Sequence, residues 1–127
     1  MLRALMATGE AMFGSATEPN EPRRLRGIGA SPGTYTGIAR VLFSPADFGR
    51  LQQGDILVTP STTESFNIVL PLLGAIVTDA GGLLSHAAIV SRELGIPGVV
   101  GTRVASKQIA DGDRLRVDGL TGEVFVL

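Results

Sequence analysis

The chain has no cysteine, no tryptophan, one tyrosine and one histidine among its 127 residues. Without thiols there is no disulfide framework, no thiolate metal site and no cysteine nucleophile, a composition that fits a reducing compartment. A single histidine lacks the fellow ligands of a metal centre and Asp79 alone is a poor partner for it, so no metal site is expected. Eleven Lys and Arg against twelve Asp and Glu leave a net charge of −1, with no basic run interleaved with aromatics. A nucleic-acid surface is therefore not expected. No apolar run reaches the roughly 18–20 residues that cross a bilayer. The apolar start Met1–Thr8 is interrupted by Gly9-Glu10 before it forms the core of a signal peptide. The expectation is a soluble, cytoplasmic protein with no membrane partner.

What the chain does have is small and aliphatic: 44% hydrophobic residues and 17 glycines. Residues 1–24 carry the turn-prone stretch Gly14–Pro22 and are expected to be a flexible linker or the remnant of a preceding domain, with a short helix over Leu2–Phe13. Residues 25–127 are expected to fold as one domain. Gly29–Gly33 is expected to turn, Gly37–Phe43 to form a strand, and Asp55–Thr59 and Ala75–Thr78 to form short buried strands. Between the last two, Phe66, Val69, Leu70 and Leu73 fall at i, i+3, i+4 and i+7, which predicts a helix opening near Thr62–Ser65 and disturbed by Pro71. A second helix is expected from His86 to Leu94, ended by Gly95 and Pro97. Gly98–Gly101 reads as a strand, and Arg114–Val117 with Glu123–Leu127 as a hairpin around Asp118–Gly122. Strand–helix–strand–helix–strand in the middle implies parallel strands. The fold class is mixed α/β with a parallel sheet, additional antiparallel strands and few helices.

The candidate site is His86, which follows Gly81-Gly82-Leu83-Leu84-Ser85 and opens the second helix. A helix N-terminus offers free backbone N–H groups and a favourable dipole to an anion, and it disfavours the imidazolium, leaving a lone pair for attack. Ser85 is placed to cap the helix or to donate to a phosphate oxygen. Gly81 and Gly82 permit backbone geometry and space that a β-carbon would deny. By position alone, a turn followed by a surface or hydrogen-bonded histidine is the commoner reading of such a segment. A nucleotide-phosphate loop is excluded, because no Gly-Lys-Ser/Thr follows the glycines.

The run Gly81–Gly101, preceded by Gly27–Gly33 and followed by Asp111-Gly112-Asp113 and Val117-Asp118-Gly119, resembles the phosphohistidine swivelling domain of the phosphoenolpyruvate-utilising enzymes. The resemblance runs from about Leu25 to the C-terminus. It implies a three-layer β/β/α domain whose His86, acting through Nε2, carries a phosphoryl group between two active sites, with Gly81, Gly82 and Ser85 as its loop. It also implies Ser65 in the place of a threonine that steadies the imidazole, with an N-terminal helix cap as the competing reading. Arg92 and Glu93 match a family Arg-Glu pair. Arg92 lies about 120° around the helix from His86 at roughly 100° per residue, so both are expected to be structural or docking residues.

The pattern is closest to phosphoenolpyruvate synthase and rifampicin phosphotransferase-like members. Dikinases and synthases carry a threonine two residues before the histidine, the target of a regulatory kinase. Leu84 stands there, and control by such a kinase is not expected. Enzyme I of the sugar phosphotransferase system carries a helical insert for which the stretch between Gly37–Phe43 and Asp55–Thr59 has no room. The segment Thr62–Phe66 also replaces a Thr-Asp-Pro-containing stretch of many synthase-like members. The resemblance places Mg²⁺ and ATP on a partner ATP-grasp domain and the acceptor on a further domain, with ATP or phosphoenolpyruvate as donor. Alone, the chain is expected to be inactive. The alternative is a binding or regulatory module that keeps the fold without transferring phosphate.

Overall fold

The runs Ile56–Thr59 and Ala75–Thr78 are buried at every position, as strands covered on both faces must be. In the computed structural model, which describes residues 23–127, they form β4 and β5. The other strands are β1 (Arg23–Arg26), β2 (Ile28–Ser31), β3 (Thr34–Val41), β6 (Gly98–Val100), β7 (Arg114–Asp118) and β8 (Glu123–Val126). Two α-helices, α1 (His86–Leu94) and α2 (Ala105–Gln108), join 3₁₀ turns at Pro45–Arg50, Glu64–Ile68 and Leu70–Leu72.

Strands β3, β4, β5 and β6 run parallel, and β2 closes their far edge antiparallel to β6. Strand β3 belongs to two sheets: Thr34–Ile38 pairs antiparallel with β7, while Ala39–Val41 pairs parallel with β4. Strands β8 and β1 extend the antiparallel side. Strand alternation then builds two cores. Ile56, Val58, Ala75, Val77 and Val99 face Leu115, Val117, Val124 and Val126 of the antiparallel sheet. Their neighbours Leu57, Ile76 and Val100 point the other way, onto Ala87, Ala88 and Val90 of α1 and onto Phe66, Val69, Leu70 and Leu73. The result is the expected β/β/α sandwich.

The separated glycine- and aspartate-containing blocks meet in space. Where β7 stops pairing with β3, Asp111-Gly112-Asp113 takes over: Ala39 N–H donates to Asp113 O and Gly112 N–H to Ala39 O, both at 2.8 Å. The Asp111 carboxylate accepts from Val41 N–H and pairs with Arg50, each at 2.8 Å, and with Arg40 at 3.4 Å. This loop satisfies β3 where its two sheets diverge. Burial pushes the Asp111 carboxyl up, but the Val41 N–H and the two guanidinium groups outweigh it and hold it below the ordinary carboxylate value. At the other end of the hairpin, a β-carbon on Gly119 would overlap Ser31 O, and one on Gly29 would lie 2.5 Å from Gly119 O. The first and last blocks are thus packed backbone against backbone.

That packing corrects the expected Gly29–Gly33 turn. Gly29 serves close approach, Ile28–Ser31 is a strand, and the reversal is confined to Pro32-Gly33. The expected helix after β4 is instead two 3₁₀ turns meeting at Val69. Pro71 lacks an N–H and prevents a continuous α-helix, although the four periodic apolar residues are buried as predicted. Residues 1–22, and the short helix expected within the linker, lie outside the described residues. Arg23 and Arg24, the first described residues, pair with Val126 and Phe125 in the sheet. Among the described residues no helix is long and apolar enough to cross a membrane.

Candidate functional site

The chain leaves β5 at Thr78 and reaches α1 through Asp79–Ser85. Gly81 has φ +105°, and a β-carbon there would sit 2.8 Å from Ser85 Oγ and 2.9 Å from Ser85 Cβ, so only glycine makes this turn without strain. Gly82 is different: a β-carbon there would meet nothing within 4 Å. Ser85 is the N-cap. Its hydroxyl donates to Gly82 O at 2.8 Å and accepts from Ala88 N–H at 3.3 Å. The backbone N–H groups of His86 and Ala87 find no acceptor among the described residues. The helix ends at Gly95 with φ +68°, in the left-handed conformation a C-terminal glycine provides.

Arg92 locks this loop from behind. One terminal nitrogen donates to Ala30 O at 3.1 Å and the other to Leu83 O at 2.8 Å. The planar guanidinium therefore bridges β2 and the glycine loop, while Leu83 and Leu84 remain exposed. Small residues let α1 lie close to the sheet: a β-carbon on Gly98 would overlap the Ser91 side chain, which is fully buried and donates to Ala88 O at 3.0 Å.

His86 is half-buried rather than fully exposed. Its Nδ1 lies 2.8 Å from the hydroxyl of Thr62, a buried residue three places beyond β4. This corrects the expectation for Ser65. Its exposed hydroxyl lies 2.8 Å from Thr63 Oγ1, and Ser65 neither reaches the imidazole nor caps the turn, whose N-cap is Thr63. Because the segment forms 3₁₀ turns, the buried threonine at its entrance meets the ring instead. The one signal in the sequence that could have found Thr62 is positional, since loops leaving the carboxyl ends of adjacent parallel strands converge on one site.

Ser61, Thr62, Thr78, Ala80, Gly81, Ser85 and His86 line a cleft of about 50 Å³. Its back is fixed by Thr102, whose hydroxyl donates to Thr78 O at 2.9 Å. Asp79, between two lining residues, is already engaged: its carboxylate accepts both the N–H and the hydroxyl of Ser106. Among the described residues no group of three or more His, Asp and Glu is arranged to hold a metal ion.

The PEP-utilising enzyme mobile-domain family matches residues 51–122, more than half of the chain. A probable phosphoenolpyruvate synthase of Archaeoglobus fulgidus is 50% identical over 101 residues, covering 80% of this chain and 13% of its own length. The rifampicin phosphotransferase of Streptomyces sviceus is 40% identical over 126 residues, covering 98% of this chain and 14% of its own. Among solved structures, Enzyme I superposes with a TM-score of 0.55 and 34% identity, over 62% of this chain and 33% of that one. This chain thus spans only a small part of the relatives it matches, and it belongs to the mobile-domain family of the PEP-utilising enzymes.

Proposed function

We propose that the chain is a phosphoryl carrier in which His86 Nε2 accepts a phosphoryl group at one partner site and surrenders it at another. The observation that carries this reading is the 2.8 Å contact between His86 Nδ1 and Thr62 Oγ1 at the mouth of a capped helix. With the ring proton on Nδ1 and donated to Thr62, the Nε2 lone pair is free and fixed in direction. Attack forms the N–P bond as the P–O bond to the donor breaks, and the electron pair leaves with the donor oxygen. The second transfer reverses this at the acceptor. The N–H groups of His86 and Ala87, unpaired among the described residues, and the helix dipole favour the negative charge on the phosphoryl oxygens. The cleft beside the ring, walled by Ser61, Thr62, Gly81 and Ser85, adjoins the helix end where those oxygens would sit.

In-line transfer also needs cations around the moving charge. This site supplies too few, so Mg²⁺, ATP and most of the lysines and arginines are assigned to a partner nucleotide-binding domain of the ATP-grasp type. The acceptor belongs to a further domain. The synthase and phosphotransferase named above make pyruvate and an antibiotic hydroxyl the first acceptors to try, with water or a protein group as others. The short share of those relatives covered by this chain leaves ample length for both sites.

The test mixes the chain with the nucleotide-binding region of such a relative, Mg²⁺ and ATP labelled at every phosphate. Label that is acid-labile, base-stable and absent from His86→Ala is expected. A folded chain that binds the partner but takes up no label would instead make it a binding module.

A further inference from the structure

Arg103 is the one non-glycine residue with positive φ, +73°, among the described residues. Left-handed backbone is strained for a side-chain-bearing residue, and glycine would relieve it. The turn that imposes it is firmly held. Thr102 N–H and hydroxyl both donate to Thr78 O, at 3.1 and 2.9 Å, Thr102 Oγ1 accepts from Ala105 N–H at 3.2 Å, and Arg103 N–H donates to Asp79 O at 2.8 Å. The same segment runs along the wall of the His86 cleft, since Gly101 N–H donates to Ala80 O at 3.3 Å and a β-carbon on Gly101 would lie 2.9 Å from Gly81 O.

The side chain kept at this cost is exposed and forms no ion pair with any described residue. The carboxylate of Asp79, whose backbone oxygen holds Arg103 N–H, is itself occupied by Ser106. Arg92, the other arginine of this region, is spent on two carbonyls. A backbone that would suit glycine thus carries an exposed guanidinium with no ion pair among the described residues, on a turn bonded to the residues that lead into the cleft. Strain held by its surroundings is a mark of functional positions. The geometry points to Arg103 as a phosphate-binding residue, whose guanidinium pairs with the oxygens of the phosphoryl group entering or carried on His86. This rests on the carrier reading.

Phosphoramidate tests it on the chain as it stands. His86 Nε2 bonds to phosphorus as the P–N bond of the reagent breaks, and the leaving nitrogen, protonated beforehand, departs as ammonia. The rate of phosphohistidine formation is followed by ³¹P NMR, with melting temperature measured in parallel. Arg103→Gly should slow phosphorylation about tenfold, the effect of one charge-assisted contact, while its melting temperature stays level or rises. Arg103→Lys should recover part of the rate. A wild-type rate in Arg103→Gly, or a slow rate accompanied by a lowered melting temperature, would overturn the assignment and leave the carrier reading standing. No phosphohistidine in the wild-type chain would overturn the carrier reading itself.

Discussion

Gly81 and Gly82 are neighbours of the same type, yet replacing each by alanine should have very unequal consequences. At Gly81 the φ of +105° costs an alanine about 1–3 kcal/mol. The new methyl would also lie 2.8 Å from Ser85 Oγ, which donates to Gly82 O and caps Ala88. Displacing that hydroxyl loses two hydrogen bonds, each worth about 1 kcal/mol. The alanine recovers roughly 0.4–1 kcal/mol by restricting the unfolded chain. The net loss for Gly81→Ala is about 2–4.5 kcal/mol. At Gly82 the β-carbon meets open space and φ is not positive, so Gly82→Ala should lie within about 0.5 kcal/mol of the parent. Urea unfolding of both variants measures this. Similar losses at the two positions, or a larger loss at Gly82, would refute the account of the loop.

Thr62→Val keeps the shape but removes the group that fixes the Nδ1 proton, and should slow His86 phosphorylation by phosphoramidate about tenfold, with Thr62→Ser near the parent. Ile76→Ala, at a fully buried position between β5 and α1, should cost about 2–5 kcal/mol in urea unfolding. Asp111 has its carboxyl depressed in the fold, so its contribution is full above the unfolded-state value of about 3.9 and is lost as pH falls through the lower folded value. Asp111→Asn should flatten the acid limb of a stability–pH curve below about pH 4 and leave the neutral-pH slope unchanged.

The parts legible in the sequence are those with local causes. Ser85 and Gly95 bracket α1 because a cap and a left-handed glycine act within a few residues, and β4 and β5 declare themselves as short aliphatic runs. The resemblance to the phosphohistidine family rests on glycines and aspartates whose contacts turn out to join distant strands. What was not legible is non-local. Nothing near Thr34–Val41 announces a strand shared by two sheets, because the division depends on which partners, β7 and β4, reach each half. Gly29–Gly33 looks like a turn until β6 is placed beside Ile28–Ser31. The imidazole partner fell on Thr62 rather than Ser65 because 3₁₀ turns replace an α-helix there, a choice governed by Pro71 and the packing of Phe66 and Leu70.

The most direct test of the carrier chemistry is the imidazole itself, followed by ¹⁵N-resolved NMR before and after treatment with phosphoramidate. Phosphorus bonded to Nε2 of His86, with Nδ1 carrying none, is the predicted result. Phosphorus on Nδ1, or a folded chain whose histidine takes up none, would contradict it.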